Sequence, residues 1–435
     1  MKRFSYYFKF LLGWCFMLLG MISCDTASNT EDPDLNYFVK YYGGDGNQYG
    51  VDMLALNDGT FLLLGNYSES PFDTDVYLVK VNAEGDVIWE NRFGKDVNNI
   101  WSAKDLEPTK DGNFIVLSDF QVTGPGPINM DLKLLKISPE GTLLDETDVF
   151  GTPANDFGRT ITPLDNGGFI VSGTTEFTST FNLVGATDLD LGDFFNYRFD
   201  QNLVQYPTND WFPVFPGFGG KFDVAVKALE KPHEFYVFGY SNINLNNTNK
   251  EKRFGLFYFK RDSTGGVSNP YFPGNVFNDT KIQFVHPAPP QLGSGFLVIG
   301  TSQNNIGVSE IFIAKLRNTL TYNVDNDAIL YNTIALGKNV RGVAAATSFT
   351  GSLGYLILGN EVRSTGATNI WLSKIDQSGL VLWSSTFGSE AEDDSGAAVA
   401  ELPNGKIAIL GTMGLANNQF KMALIKVNPK GQLLK

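Results

Sequence analysis

One position, met seven times, restricts this chain more than any other feature of it. A small residue closes a run of apolar residues at Gly65, Ser118, Gly173, Gly239, Gly300, Gly359 and Gly411. Four residues earlier stands an aromatic in six copies (Phe61, Phe114, Phe169, Phe235, Phe296 and Tyr355), with Ile407 in the seventh. A second apolar run follows and ends in a basic residue: Lys80, Lys136, Arg198, Lys260, Lys315, Lys374 and Lys426. Five residues later, five copies carry a glycine (Gly85, Gly141, Gly265, Gly379 and Gly431) with Asn, Asp or Ser three residues before it. That pairing is type I turn chemistry, so the second run and the segment after it form a hairpin. A repeat of about 50–65 residues is one supersecondary unit used over and over.

Each unit supplies four strands, which in the first copy are expected near Val51–Leu56, Thr60–Leu64, Asp75–Val81 and Asp86–Phe93. Runs such as Phe61-Leu62-Leu63-Leu64 are apolar on both faces, as in a strand covered from both sides. With 46 glycines, 35 phenylalanines and only 18% charged residues, the composition favours short strands and turns over long helices. The predicted fold is all-β: a seven-bladed β-propeller of four-stranded antiparallel blades. The chain ends as its seventh copy begins a fourth strand. Phe38–Gly43 (FVKYYG) aligns with the fourth strands Trp89–Gly94 and Trp383–Gly388. The N-terminal strand is therefore expected to close the ring, which removes open sheet edges.

At this point the chain resembles bacterial β-propeller lipoproteins with repeats of the form YGG…DGGF…G…DxYLVKxDxxGxxxW. The likeness covers Leu35 to Lys435 and is best in repeats one, two, six and seven. The first residues agree with it. Lys2, Arg3 and Lys9 precede an apolar core from Phe10 to Ile22, too short to span a membrane comfortably. The segment ends Leu19-Gly20-Met21-Ile22-Ser23-Cys24, which resembles a lipobox with Met21 where Leu is usual. The resemblance implies a signal peptide over 1–23, lipid on Cys24, and attachment to the cell envelope, with the outer membrane favoured. A signal peptide without lipidation, or an uncleaved anchor, is the alternative. Residues 24–34 carry the acidic stretch DTASNTEDPD, too polar to order itself, and are expected to tether the domain at 35–435. Only Cys15 and Cys24 are present, so a mature chain has no internal disulfide and relies on its core.

The net charge is −14, and more negative without Lys2, Arg3 and Lys9, which argues against nucleic acid as a partner. The spacing from closing small residue to basic residue is longest in repeats two, three and four. That places three neighbouring insertions on one rim, where functional loops often sit. Trp101, Phe157, Phe177, Phe181, Trp211 and Phe212 are candidates to line an aromatic cleft there, suited to sugars or peptide segments. Packing between blades accounts for the same rings equally well. Asp188, Asp190 and Asp193 offer oxygens that suit calcium, but leucines intervene and the spacing is not that of an EF-hand loop. An exposed acidic loop explains them more simply, and no other cofactor is expected. The seven basic residues are read first as blade packing, pairing with carboxylates or lying over the neighbouring blade.

The two histidines, His233 and His286, lack partners at metal-binding spacing. No nucleophile elbow or phosphate-binding glycine loop is present. Trp89 and Trp383, each four residues after a turn glycine, are read as packing residues. These features point to a binding or scaffold module with a protein or polysaccharide partner, using the rim of blades two to four. The alternatives are a scaffold in outer-membrane assembly, or a carboxylate-dependent hydrolase acting on glycan or peptide.

Overall fold

The computed structural model describes residues 37–70, 73–94, 99–122, 129–176, 193–208, 210–211, 223–231, 234–241, 255–262, 280–304, 306–321 and 327–433. The description begins with a lone strand, β1 (Phe38–Tyr42). The first unit follows: β2 (Asn47–Ala55), β3 (Phe61–Ser70), β4 (Asp73–Val81) and β5 (Val87–Phe93). The second is β6 (Asn99–Pro108), β7 (Phe114–Val122), β8 (Met130–Ile137) and β9 (Leu143–Glu146). Two three-stranded units come next: β10 (Asp156–Pro163), β11 (Phe169–Thr175) and β12 (Asp193–Phe199), then β13 (Asp223–Lys231), β14 (Glu234–Ser241) and β15 (Gly255–Asp262). Four-stranded units resume with β16 (Thr280–Pro287), β17 (Phe296–Gln303), β18 (Ser309–Leu316) and β19 (Ala328–Ile334). After these come β20 (Val340–Ser348), β21 (Gly354–Val362), β22 (Thr368–Asp376) and β23 (Val381–Phe387). The last strands are β24 (Ser395–Glu401), β25 (Ile407–Leu415) and β26 (Gln419–Val427).

The fold is all-β, with several antiparallel sheets. Within each unit, consecutive strands pair as antiparallel neighbours. The first two units are joined by a single parallel pair, Thr74 with Ile100. Strand β1 completes the sheet of the last three strands, pairing Phe38–Tyr42 with Met422–Lys426. Among the described residues the sole named helical element is a 3-10 turn, Pro290–Leu292, and no helix is long and apolar enough to cross a membrane.

The core lies between units. Val224, Tyr236 and Phe238 pack on Val285, Phe296 and Phe312 of the next unit. Met53, Phe61, Leu63 and Tyr77 of the first unit pack on Ala408, Leu410, Met422 and Leu424 of the last. Both faces of a central strand are therefore apolar, which is why Leu62, Leu63 and Leu64 are all fully buried. Each such side chain contributes about 1.5–3 kcal/mol by leaving water.

The closing glycine does not close its strand. Strand β3 was expected to stop at Leu64 and instead runs to Ser70, and β2 starts at Asn47 rather than Val51. The glycine is needed opposite a bulge in the preceding strand. A Cβ on Gly65 would stand 2.5 Å from the Tyr49 carbonyl oxygen, and one on Gly173 would stand 2.2 Å from that of Phe157. At both glycines a Cβ would be driven into backbone; in the second unit the buried Ser118 takes the same place opposite the bulge.

In five of the seven copies the residue after this position stitches one unit to the next. Asn66 Oδ1 accepts from the Ala103 amide (2.7 Å), Asp119 Oδ1 from Gly158 (2.8 Å), and Asn360 Oδ1 from Gly396 (2.8 Å). Thr301 Oγ1 accepts from Gly342 (3.1 Å), and Thr412 Oγ1 accepts from Gly50 of the first unit (2.9 Å). The basic residues reach turns. Lys80 donates to the Pro139 carbonyl (3.5 Å) and Lys426 to that of Ala83 (2.8 Å), each in another unit; Lys136 pairs with Asp111 (2.7 Å). Trp89 stacks beside the left-handed turn at Gly141 (φ +84°), and its indole nitrogen donates to Pro139 (3.1 Å).

Candidate functional site

The leading strands β2, β6, β10, β13, β16, β20 and β24 each carry a bulge at the same register. It falls between Gly50 and Asp52, Ala103 and Asp105, Gly158 and Thr160, Ala225 and Lys227, Ile282 and Phe284, Gly342 and Ala344, and Gly396 and Ala398. A bulge adds one residue and re-aims its side chain. All seven strands line one cavity of about 1210 Å³.

The lining is divided. Strands β20 and β24 present Ala344, Ala345, Ala346, Ala397 and Ala398, with Glu401 at the end of β24, while β2, β6, β10 and β13 bring most of the charged groups. Asp52 accepts from the amides of Met53 (2.8 Å) and Leu106 (3.1 Å), and Asp105 accepts from that of Ile161 (2.6 Å). Lys227 reaches back past β10: its Nζ donates to Glu107 Oε1 (2.8 Å) and the Ile161 carbonyl (2.6 Å), with Asp105 at 3.9 Å. Three carboxyl groups thus surround one ammonium.

Burial pushes Asp52 well above the usual carboxylate range, helped by the negative charges of Asp105 and Glu107 and a hydrogen bond to Asp105. Burial also raises Glu107 against the pull of Lys227. For Lys227, burial acts downward, but Glu107 and Asp105 outweigh it and the net shift is up. His286 of β16, half-buried and 3.2 Å from Thr347 Oγ1, is pushed down to about 4 by burial and then by Lys227. It is neutral near pH 7. A level nearer the bulge, Lys104 pairs with buried Asp119 (2.8 Å), and Arg159 stands exposed in the lining.

The aromatic candidates divide differently. Trp211 is 1% exposed, donates from its indole nitrogen to the Asn196 carbonyl (2.7 Å), and carries the Arg261 guanidinium 3.4 Å over its ring. Trp101 is buried against Phe120 (ring centroids 4.8 Å apart), with the Lys133 ammonium 5.1 Å from the ring centre. These two rings are core rather than rim surface, because each fills the space between a leading strand and a neighbouring sheet. Phe157 is exposed, on β10. Phe177, Phe181, Phe212, Asp188, Asp190, His233 and Cys24 lie outside the described residues. Asp193 is buried at the start of β12. Among the described residues, no group of three His, Cys, Asp or Glu side chains is placed to hold a metal.

Sequence reasoning passed over Asp52, Lys104, Asp105, Glu107, Arg159 and Lys227. A signal was present: each lies one, two or four residues after the last paired residue before the bulge of its strand (Gly50, Ala103, Gly158 or Ala225), and those residues align across all copies.

No protein-family model matches the chain, and no curated protein matches it. Among solved structures, the full extracellular region of plexin A4 is similar, with a TM-score of 0.50 and 10% identity over 91% of this chain. The chain spans 47% of that plexin chain, about half its length. An α-L-arabinofuranosidase from Fusarium graminearum bound to an iminosugar inhibitor gives a TM-score of 0.47 at 10% identity, covering 74% of this chain and 92% of that one. A protein of unknown function from Dyadobacter fermentans gives 0.46 at 8% identity, covering 90% and 97%. The plexin likeness is one of fold alone.

Proposed function

We propose that the domain is a seven-bladed β-propeller, closed by β1, that serves as a ligand-binding module of the cell envelope, with its central channel as the binding site. Pairing of β1 with β26, packing of the first unit on the last, and the bond from Gly50 to Thr412 support closure. The observation that carries the binding reading is the cavity itself: seven leading strands share it, most of its charges on one arc and most of its alanines on the other. Cys24 bears the lipid and residues 25–34 the tether, which places the domain at the outer membrane. The rim of blades two to four adds contacts to a polysaccharide or protein partner.

The test uses the full chain in detergent against arrayed envelope glycans and peptides. Ala346→Trp fills the channel from its small-residue side and is expected to abolish capture while leaving the unfolding midpoint in place. Capture unchanged in that variant rejects the channel as the site. Cys24→Ser is expected to release the protein from the membrane fraction; retention there rejects the lipid anchor.

The hydrolase alternative has one feature in its favour, a buried Asp52 carboxyl, pushed upward by burial, beside Asp105. Against it, both oxygens of Asp52 and one of Asp105 are bound to backbone amides. Those bonds commit the carboxyl groups to holding strands together. Turnover of any arrayed glycan or peptide that Asp105→Asn removes would reverse that preference.

A further inference from the structure

We infer that the bulge level of the channel is an oxyanion site, built on Arg159 with Lys104 and Gln283, that recognises a carboxylate or phosphate group on the ligand. This rests on the channel being the binding site. The chain is acidic overall, at −14, yet two neighbouring leading strands place Lys104 and Arg159 at the same register position, one residue after Ala103 and Gly158. Both line the cavity.

Of the two, Lys104 is held by a direct ion pair and Arg159 is not. Asp119, 1% exposed, has both oxygens occupied, one by the Gly158 amide (2.8 Å) and the other by Lys104 (2.8 Å). Lys104 and Asp119 cancel. The other acidic cluster, Glu107 with Asp105, is engaged by Lys227. Arg159 is left with a single hydrogen bond among the described residues, a 3.5 Å contact to the Tyr240 hydroxyl. A guanidinium has five N–H donors in a planar fork that fits two oxygens of one anion. Gln283 holds the same register on β16 and also lines the cavity. Its oxygen accepts from Thr301 (3.2 Å), which leaves its amino group as a further donor. The other bulge residues, Val51, Val226, Val343 and Ala397, are apolar. The site is therefore one-sided: it orients an anionic end, and the rest of the ligand lies along the apolar arc.

Titration calorimetry on the full chain at constant ionic strength, with inorganic phosphate and separately with glucuronate, tests this. Saturable binding of either probe, weakened at least tenfold in Arg159→Met and partly restored in Arg159→Lys, supports the site; the tighter probe identifies the oxyanion. No binding of either probe to the unaltered chain, or equal binding to Arg159→Met, overturns it. An unchanged unfolding midpoint in Arg159→Met shows that the fold is intact. If Ala346→Trp abolishes array capture while neither oxyanion binds, the channel reading stands and the oxyanion site alone fails. If Ala346→Trp leaves capture unchanged, the channel reading itself has failed.

Discussion

Replacing Lys227 by Met tests whether the channel cluster is electrostatic in origin. The side chain keeps its length, so most of the packing stays. What goes is the one ammonium among Asp52, Asp105 and Glu107. Breaking a buried ion pair by removing one partner costs about 3–5 kcal/mol, because a carboxylate is left desolvated. Asp105 and Glu107 are 13% and 25% exposed, which favours the lower end, about 3 kcal/mol at pH 8. With unfolding entropy near 2.1 cal/mol/K per residue over about 400 residues, that lowers the midpoint by about 4 °C.

The pH dependence carries the sign. Lys227 has a raised folded pKa, so its stabilisation is present below its unfolded value and is lost only as pH climbs through the folded one. Glu107 is raised by burial against the pull of Lys227, and without that pull it rises further. A raised carboxyl group stabilises below its unfolded pKa and loses that contribution as pH rises through the folded value. The deficit of the variant against the unaltered chain should therefore be largest at pH 8 and smaller at pH 5. Adding Glu107→Gln should recover about 1–2 kcal/mol at pH 8. Thermal unfolding at one scan rate and two pH values decides it. An equal deficit at both, or no recovery in the double variant, refutes the reasoning and leaves lost packing as the cause.

Four further predictions concern positions outside the oxyanion site. Thr412→Val removes the acceptor of the Gly50 amide and should cost about 1–2 kcal/mol in urea unfolding. Asn66→Ala should cost a similar amount by freeing the Ala103 amide, and no loss in either variant would mean that these stitches are not needed. Trp211→Phe loses the bond to Asn196 and should cost about 1–2 kcal/mol, against about 3–5 for Trp211→Ala. Neither should alter capture on the arrays, and altered capture would return that ring to the binding surface. His286, held near 4, binds its proton later than the unfolded chain does. Stability should therefore fall as pH drops from about 6.5 to about 4, and His286→Gln should flatten that slope in a pH series of unfolding midpoints.

Much of the fold is legible in the sequence because it depends on positions that every unit must fill. Phe61 and its counterparts sit between sheets, Lys80 and Lys426 reach turns of other units, and Gly141 and Gly431 lie flat against Trp89 and Trp383. Each recurs because each unit meets the same neighbour. The role of the closing glycine is harder to read. A glycine at the end of an apolar run looks like a strand end, and what requires it here is a carbonyl of the strand beside it. That partner is visible only once the pairing is known. The polar residue after it (Asn66, Asp119, Thr301, Asn360 or Thr412) was equally regular, but its acceptor role needs the neighbouring unit to be in place.

The charged channel is hidden for a different reason. Strand reading relies on alternation of faces, and a bulge shifts that alternation by one residue. The shift occurs in the leading strand of every copy, just before the residues that matter. Asp52 and Lys227, far apart in sequence, then point into one cavity, while Trp101 and Trp211, which look like surface aromatics, are buried. Aligned at the bulge, the copies show which variation is informative. The residue at the bulge is Val51, Lys104, Arg159, Val226, Gln283, Val343 or Ala397. The next is Asp52, Asp105, Thr160, Lys227, Phe284, Ala344 or Ala398. A position that serves only the fold has no reason to change from lysine to valine to glutamine between copies. On the binding reading proposed above, one that faces a shared cavity does, because each copy would meet a different part of the ligand.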